Sequence, residues 1–228
     1  MDFINDVIEW FLDTFFPKSK KKEPSGTKKP NFPKAPYKQY DVPNLYSIPE
    51  TLALYAVKWF VSSGMSLEGA AAVVGNLWRE SYLNPTQLQI IDGRPQGPGK
   101  GLAQWTDSSL TIDKRDDGKQ RWDRYVRFFG EIKTTHPYWK NSKMMDAEPQ
   151  LAFIVYELKN DFPGVWRNLT TPGSVSQKST TVLKKYEVAR DRDKKEEQNL
   201  RATLSEKVYD IAKKDKKLSD TKSSRKVS

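Results

Sequence analysis

The chain has no cysteine and only one histidine in 228 residues. Without cysteine it forms no disulfide and has no thiolate nucleophile, which excludes a Cys–His peptidase. A zinc amidase or endopeptidase needs several nitrogen or sulfur ligands, and one histidine cannot supply them. A Ser–His–Asp triad would have to recruit His136, which sits in the run Thr134-Thr135-His136-Pro137-Tyr138 and reads as a loop histidine. No run approaches the ~20 apolar residues of a membrane-spanning helix. Hydrophobic residues make up only 36% of the chain, which fits one packed domain with polar extensions better than two domains. Nothing in the sequence implies a metal or an organic cofactor.

What is abundant is positive charge. The formal net charge is +10, which favours an anionic partner: nucleic acid, a membrane surface or a cell-wall polymer. Residues 17–46 concentrate it, with Lys18, Lys20, Lys21, Lys22, Lys28, Lys29, Lys34 and Lys38 among six prolines. Such a segment reads as an extended linker. It can touch nucleic acid weakly through lysine charge, with Phe32, Tyr37 and Tyr40 available for stacking, but it holds no sequence-reading motif. Before it, residues 1–16 set Phe3, Ile4, Val7, Ile8, Phe11, Leu12 and Phe15 against Asp2, Asp6, Glu9 and Asp13, an amphipathic helix. Its readings are docking on its own domain, docking on a partner protein such as another virion component, or lying on a membrane surface. The acidic polar face disfavours the last. The run lacks the basic start and small-residue cleavage site of a secretory signal. Residues 214–228 read as a basic, serine-rich, mobile tail.

Between these ends, residues 47–213 carry helical periodicity. Helices are expected over Ile48–Ser63 with Gly64 as C-terminal cap, Gln120–Lys133, Glu148–Lys159, Ser176–Tyr186 with Ser176 as cap, and about Lys194–Lys213. Within Gln120–Lys133, Trp122, Tyr125, Val126 and Phe129 are expected to face inward. The central helix starts with Ser66 as cap and Glu68 in its first turn, buries Ala70, Val73, Val74 and Leu77, and stops before Pro85. Glu80 therefore falls on its last turn, among Trp78, Tyr82 and Leu83. A carboxylate at a helix C-terminus beside apolar surface is disfavoured in its charged form, which suits a general acid. Ser81 could orient it by a hydrogen bond. The Gly- and Pro-rich run from Asp92 to Gly101 reads as a loop or hairpin turn. Gly101-Leu102-Ala103-Gln104-Trp105 then returns as a short strand, with Gln104 and Trp105 on opposite faces. Asp107–Lys119 reads as a polar loop.

A helix ending Glu80-Ser81-Tyr82-Leu83-Asn84-Pro85, followed by a hairpin carrying Gly101-Leu102-Ala103-Gln104-Trp105, resembles the phage tail lysozyme family. More distantly it is similar to goose-type lysozymes and lytic transglycosylases. The resemblance covers about residues 47–213. Looser matches lie at Gln150–Phe153, Tyr156–Leu158, Tyr186-Glu187 and Arg201-Ala202. In the family an arginine follows the Gln-Trp-Thr run more closely than Arg115 or Arg121 does here, so the loop after Asp107 reads as extended. The resemblance implies a mainly α, lysozyme-like helical domain with one small β-hairpin, preceded by the amphipathic helix and the extended linker. It implies a virion-associated enzyme that cuts the glycan backbone of peptidoglycan between N-acetylmuramic acid and N-acetylglucosamine. Elimination points the same way. Among wall-cutting enzymes, the missing thiol and zinc ligands leave the carboxylate-driven glycosidases.

The site that the resemblance implies has Glu80 as catalytic acid, with Ser81, Gln104, Trp105 and Tyr186 near substrate. Trp105 and Tyr186 read equally well as core residues. Glu157 and Glu187 also match family positions and read as structural ion-pair or capping residues. An inverting hydrolase needs a base roughly 6.5–9.5 Å from the acid, and a retaining one a nucleophile at about 5 Å. Asp92 and Asp107 are the candidates for that second carboxylate. If neither reaches, the lytic transglycosylase route remains, in which one Glu serves as acid and then base. The competing reading is a structural or nucleic-acid-associated virion protein that keeps the lysozyme fold without activity.

Overall fold

A computed structural model of the chain describes residues 32–34, 43–91, 94–106, 121–189, 191–215 and 218, with the side chains of 90–97 left aside. The amphipathic segment 1–16, most of the linker, the loop after Asp107 and most of the tail lie outside the described residues, and so do Asp92 and Asp107.

Seven α-helices and one two-stranded antiparallel sheet make up the described part: α1 (Glu50–Ser62), α2 (Leu67–Ser81), β1 (Leu88–Ile91), β2 (Arg94–Lys100), α3 (Arg121–Thr135), α4 (Ala147–Asn160), α5 (Pro163–Thr170), α6 (Val175–Val182) and α7 (Lys195–Lys213). The fold is mainly α with a small hairpin, as the residue pattern and the resemblance imply. No described helix is long and apolar enough to cross a membrane.

The central helix α2 is buried along nearly its whole length; Ala70, Val73, Val74, Leu77 and Trp78 have no exposed surface. Ser66 caps it, its hydroxyl accepting from the Gly69 amide at 3.0 Å. It ends where expected, in two successive left-handed residues, Tyr82 (φ 54°) and Leu83 (φ 55°), ahead of the Asn84 side chain that accepts from the Thr86 amide. The helix α7 crosses α2 at very short range. A β-carbon built on Gly75 would lie 2.4 Å from the Ser205 hydroxyl and 2.5 Å from its α-carbon, so only glycine permits the crossing.

Several local expectations need correction. The residues Gly101–Gln104 form a turn, not a strand, because Gly101 (φ 74°) and Gln104 (φ 49°) both take left-handed backbone. Alternation of faces therefore fails, and Leu102, Ala103 and Trp105 are all buried. The second strand is instead the Gly- and Pro-rich run Arg94–Lys100, paired Leu88 with Lys100 and Ile91 with Arg94. Proline is tolerated there because a two-stranded sheet has only edges, where a missing N–H need not be matched. Helix α6 is capped by Ser174 rather than Ser176. It gives way at Leu183–Glu187 to a π-helical turn that ends on Val188 (φ 53°). Helix α5 leaves no periodic signal in the sequence: only Val165 and Leu169 are buried, and it is too short to show a period. On α3, Val126 is 40% exposed while Phe128 takes its inward place. The linker and the tail each touch the domain. The Phe32 amide donates to Glu148 at 2.9 Å and its ring meets Tyr55 edge-on, while Leu218 is buried and Asp215 pairs with Lys58 at 2.6 Å.

Candidate active site

The end of α2 is fastened to the turn that follows β2. Ser81 Oγ, fully buried, donates to the Leu102 carbonyl at 2.8 Å and lies 3.1 Å from the Leu77 carbonyl. Gln150, also buried, completes the clamp. Its Oε1 accepts from the Leu102 amide at 2.8 Å and its Nε2 donates to the Pro85 carbonyl at 2.9 Å. The Gly101 amide donates to the Gln87 carbonyl at 2.9 Å. Gly101 is required twice over, by its positive φ and because a β-carbon would sit 2.5 Å from Gln150 Oε1. This clamp holds Glu80, one residue before Ser81, and Gln104, two residues after Leu102, on neighbouring backbone. Ser81 thus joins the two walls. Its hydroxyl makes no hydrogen bond to the Glu80 carboxylate.

Gln104 is half-buried. Its Nε2 donates to the carbonyls of Gly101 (2.9 Å) and Gln87 (3.3 Å), which fixes the side-chain amide over the turn. Its Oε1 has no hydrogen-bond partner among the described residues and stays available as an acceptor.

Trp105 and Tyr186 take the core alternative. Both are buried, and both donate to one carboxylate oxygen, Glu157 Oε2, at 3.1 and 2.9 Å. Glu157 has no exposed surface and is held by Arg121 through two bonds, Nε to Oε1 at 2.8 Å and Nη2 to Oε2 at 2.7 Å. Arg121 Nη1 reaches the Tyr186 carbonyl at 3.1 Å, and the guanidinium stacks 4.5 Å over the Tyr186 ring. This knot ties together α3, α4, the π-helical turn and the residue that leaves the hairpin. It satisfies every atom internally, so these two aromatics reach no substrate without repacking.

Glu80 stands in a second, more open polar cluster. Its side chain is 18% exposed and is paired with Arg201 of α7, whose Nη2 donates to Glu80 Oε1. Arg201 is itself 4% exposed and uses every end of its guanidinium: Nε donates to Glu197 at 2.8 Å and Nη1 to Asn76 Oδ1 at 3.1 Å. Asn76 passes the network inward, donating to Ser179 Oγ at 3.0 Å, and Ser205 Oγ lies 2.9 Å from the same hydroxyl. Arg79 closes the outside by pairing with Glu197 at 3.2 Å. The flank of Glu80 is therefore only partly the apolar one read from its sequence neighbours. Arg201 lies 121 positions away in the chain, and nothing local to Glu80 announces it. Glu80 Oε2 accepts no hydrogen bond among the described residues, and the side chain keeps 18% of its surface exposed.

Glu187 and Glu157 read alike in sequence, each after a tyrosine, but their surroundings differ. Glu187 ends the π-helical turn, and its Oε1 is buried without a hydrogen-bond partner. Burial pushes its carboxyl up to about 8, with the charge of Glu80 adding to the effect and Arg121 and Arg201 opposing it. His136 caps a short turn, its Nδ1 accepting from the Tyr138 amide at 3.2 Å, which is a local structural task. No cluster of metal-binding side chains occurs among the described residues.

Residues 51–211 match the family model of phage tail lysozyme. No curated protein matches the chain.

Proposed function

Since the chain belongs to the phage tail lysozyme family, a lysozyme-like glycosidase family, we propose that it cleaves the N-acetylmuramic acid–N-acetylglucosamine backbone of peptidoglycan with Glu80 as proton donor. The observation that carries this reading is the state of Glu80. It is a carboxyl at the end of a buried helix, held through one oxygen by Arg201, on a side chain that keeps 18% of its surface exposed. Anchoring on one side and access on the other are what a positioned acid requires. Glu80 delivers its proton to the glycosidic oxygen, the bond to the anomeric carbon breaks with its electron pair going to that oxygen, and positive charge develops on the sugar ring. Gln104 sits across the clamp with a free amide oxygen and is the hydrogen-bonding group we assign to the sugar or its N-acetyl substituent. Ser81 supports both through the backbone. The protein works as a virion component during entry. The amphipathic segment 1–16 attaches it to another virion or tail protein, and the lysine-rich linker gives reach towards the anionic wall.

Product analysis on purified peptidoglycan tests this. Wild type should release muropeptides, and Glu80→Gln should lose about 10²–10⁴-fold in rate, the usual worth of a general acid. Reducing-end products identify a hydrolase and anhydro products a lytic transglycosylase. No digestion of several wall types by wild type would leave the inactive structural virion protein as the better reading.

A further inference from the structure

Four charged side chains alternate in sign where the end of α2 meets the start of α7. Arg79 reaches Glu197 through Nε at 3.2 Å and Nη2 at 3.3 Å. Glu197 accepts from Arg201 Nε at 2.8 Å, and Arg201 Nη2 donates to Glu80. Glu197 keeps 13% of its side chain exposed and Arg201 4%, so water and salt screen their pairing weakly. Two carboxylates thus share one buried guanidinium, and they are not equivalent. Glu197 lies in the first turn of α7, where the helix dipole favours negative charge, and both arginines bind it. Glu80 lies in the last turn of α2, where the dipole opposes negative charge. When the pair takes up a proton, Glu80 is the better place for it, and Arg201 still keeps a charged partner in Glu197. A general acid bonded to an arginine with no other anion would be held in its ionised form, unable to give a proton.

We propose that Glu197 is a positioning residue of the Glu80 site, which fixes Arg201 and offsets its charge so that Glu80 carries the proton it gives to the glycosidic oxygen. The proposal rests on the glycosidase reading above. Glu197 acts through Arg201 and not on the substrate. The other charged groups at this crossing are Arg79, which draws on Glu197 from α2, and Glu187 of the π-helical turn, whose charge bears on Glu80 and Arg201. Substitutions at the two outer members should therefore act in opposite directions. Glu197→Gln keeps an acceptor for Arg201 Nε but removes the anion, which leaves the guanidinium charge to Glu80. Arg79→Gln removes the cation that competes for Glu197, which then offsets Arg201 more fully.

Rate–pH profiles on peptidoglycan, read beside thermal melts of the full chain, test this. Activity needs the proton on Glu80, so the alkaline limb of kcat marks the loss of that proton. In Glu197→Gln the limb should move down by about one pH unit, the usual effect of one nearby charge, with kcat above it falling about tenfold and KM little changed. In Arg79→Gln it should move up, and Glu197→Asp should return it towards wild type. Carboxyl carbon NMR with labelled glutamate reads the same order without substrate. The resonance missing in Glu80→Gln identifies Glu80, and it should titrate at lower pH in Glu197→Gln than in wild type and at higher pH in Arg79→Gln. Limbs or resonances that stay in place, or that move the same way in both variants, overturn the proposal. So does a lower melting temperature in Glu197→Gln with the limb unmoved, which is the mark of a merely structural residue. Digestion by wild type with unmoved resonances overturns only the role of Glu197. Opposite resonance shifts without any digestion by wild type overturn the glycosidase reading and the catalytic role of Glu197 with it.

Discussion

Arg201 is the residue on which the candidate site depends, since it joins the catalytic candidate to the polar interior. It replaces water for Glu80, Glu197 and Asn76 at once. Removing it leaves two carboxylates facing each other and an amide oxygen unfilled, all with little solvent. Arg201→Ala should therefore cost about 3 kcal/mol of stability, the range found when one partner of a buried ion pair is deleted. Urea unfolding of the two proteins measures this. Arg201→Lys should recover only part of the loss, because an ammonium is a point charge and cannot span three acceptors lying in different directions. The same logic separates Glu157 and Glu187, each of which follows a tyrosine in the sequence. Glu157 is fully matched and structural, while Glu187 is orphaned and titratable. Residue type and neighbours in the chain are alike for both, so only their partners in space distinguish them.

Among the elements, the crossing of α2 and α7 matters most. It brings Arg201 to Glu80 and Asn76, and it exists because Gly75 has no side chain. Gly75→Ala would put a β-carbon 2.5 Å from the Ser205 α-carbon and 2.6 Å from its backbone nitrogen. Trimming the Ser205 side chain cannot relieve contacts with backbone, so the helices must move apart. The expected cost is about 1–3 kcal/mol, typical of overpacking, and Ser205→Gly should not rescue it. Wall-digesting activity should fall further than stability does, because Arg201 moves with α7. Thermal melts and rate assays on the single and double variants separate the two effects. The turn after β2 has a different logic. It is shaped by two left-handed residues and by Gln150, and its apolar residues all point inward because the backbone reverses on itself rather than alternating.

For the whole molecule, the raised carboxyl of Glu187 makes stability depend on pH. In the unfolded chain it ionises near its ordinary 4.5, and in the folded protein near 8. Between those values the native state binds more protons than the unfolded state, so this group's contribution to stability is complete below about 4.5 and is lost as pH rises towards 8. Glu187→Gln cannot ionise. Its melting temperature should fall less than that of wild type between pH 5 and pH 8, and the gap should close below pH 4.5. Equal slopes for the two proteins would contradict this. The net charge of +10 acts on a longer scale and favours anionic partners with a strength that salt reduces.

The sequence by itself determined the elements with long periods and clear stops: the length and burial of α2, its Ser66 cap, its end before Pro85, and therefore the place of Glu80 on a last turn. It also determined that no thiol takes part, since the sequence has no cysteine. These features depend on neighbours three or four residues away, so local order suffices to read them. Only the tertiary structure decided which polar groups meet. The pairing of Glu80 with Arg201, the shared hold of Trp105, Tyr186 and Arg121 on Glu157, and the isolation of Glu187 all join residues tens of positions apart. A carboxyl's role is set by the donors and charges packed around it, and those are brought together by helix crossings that leave no periodic trace in the chain.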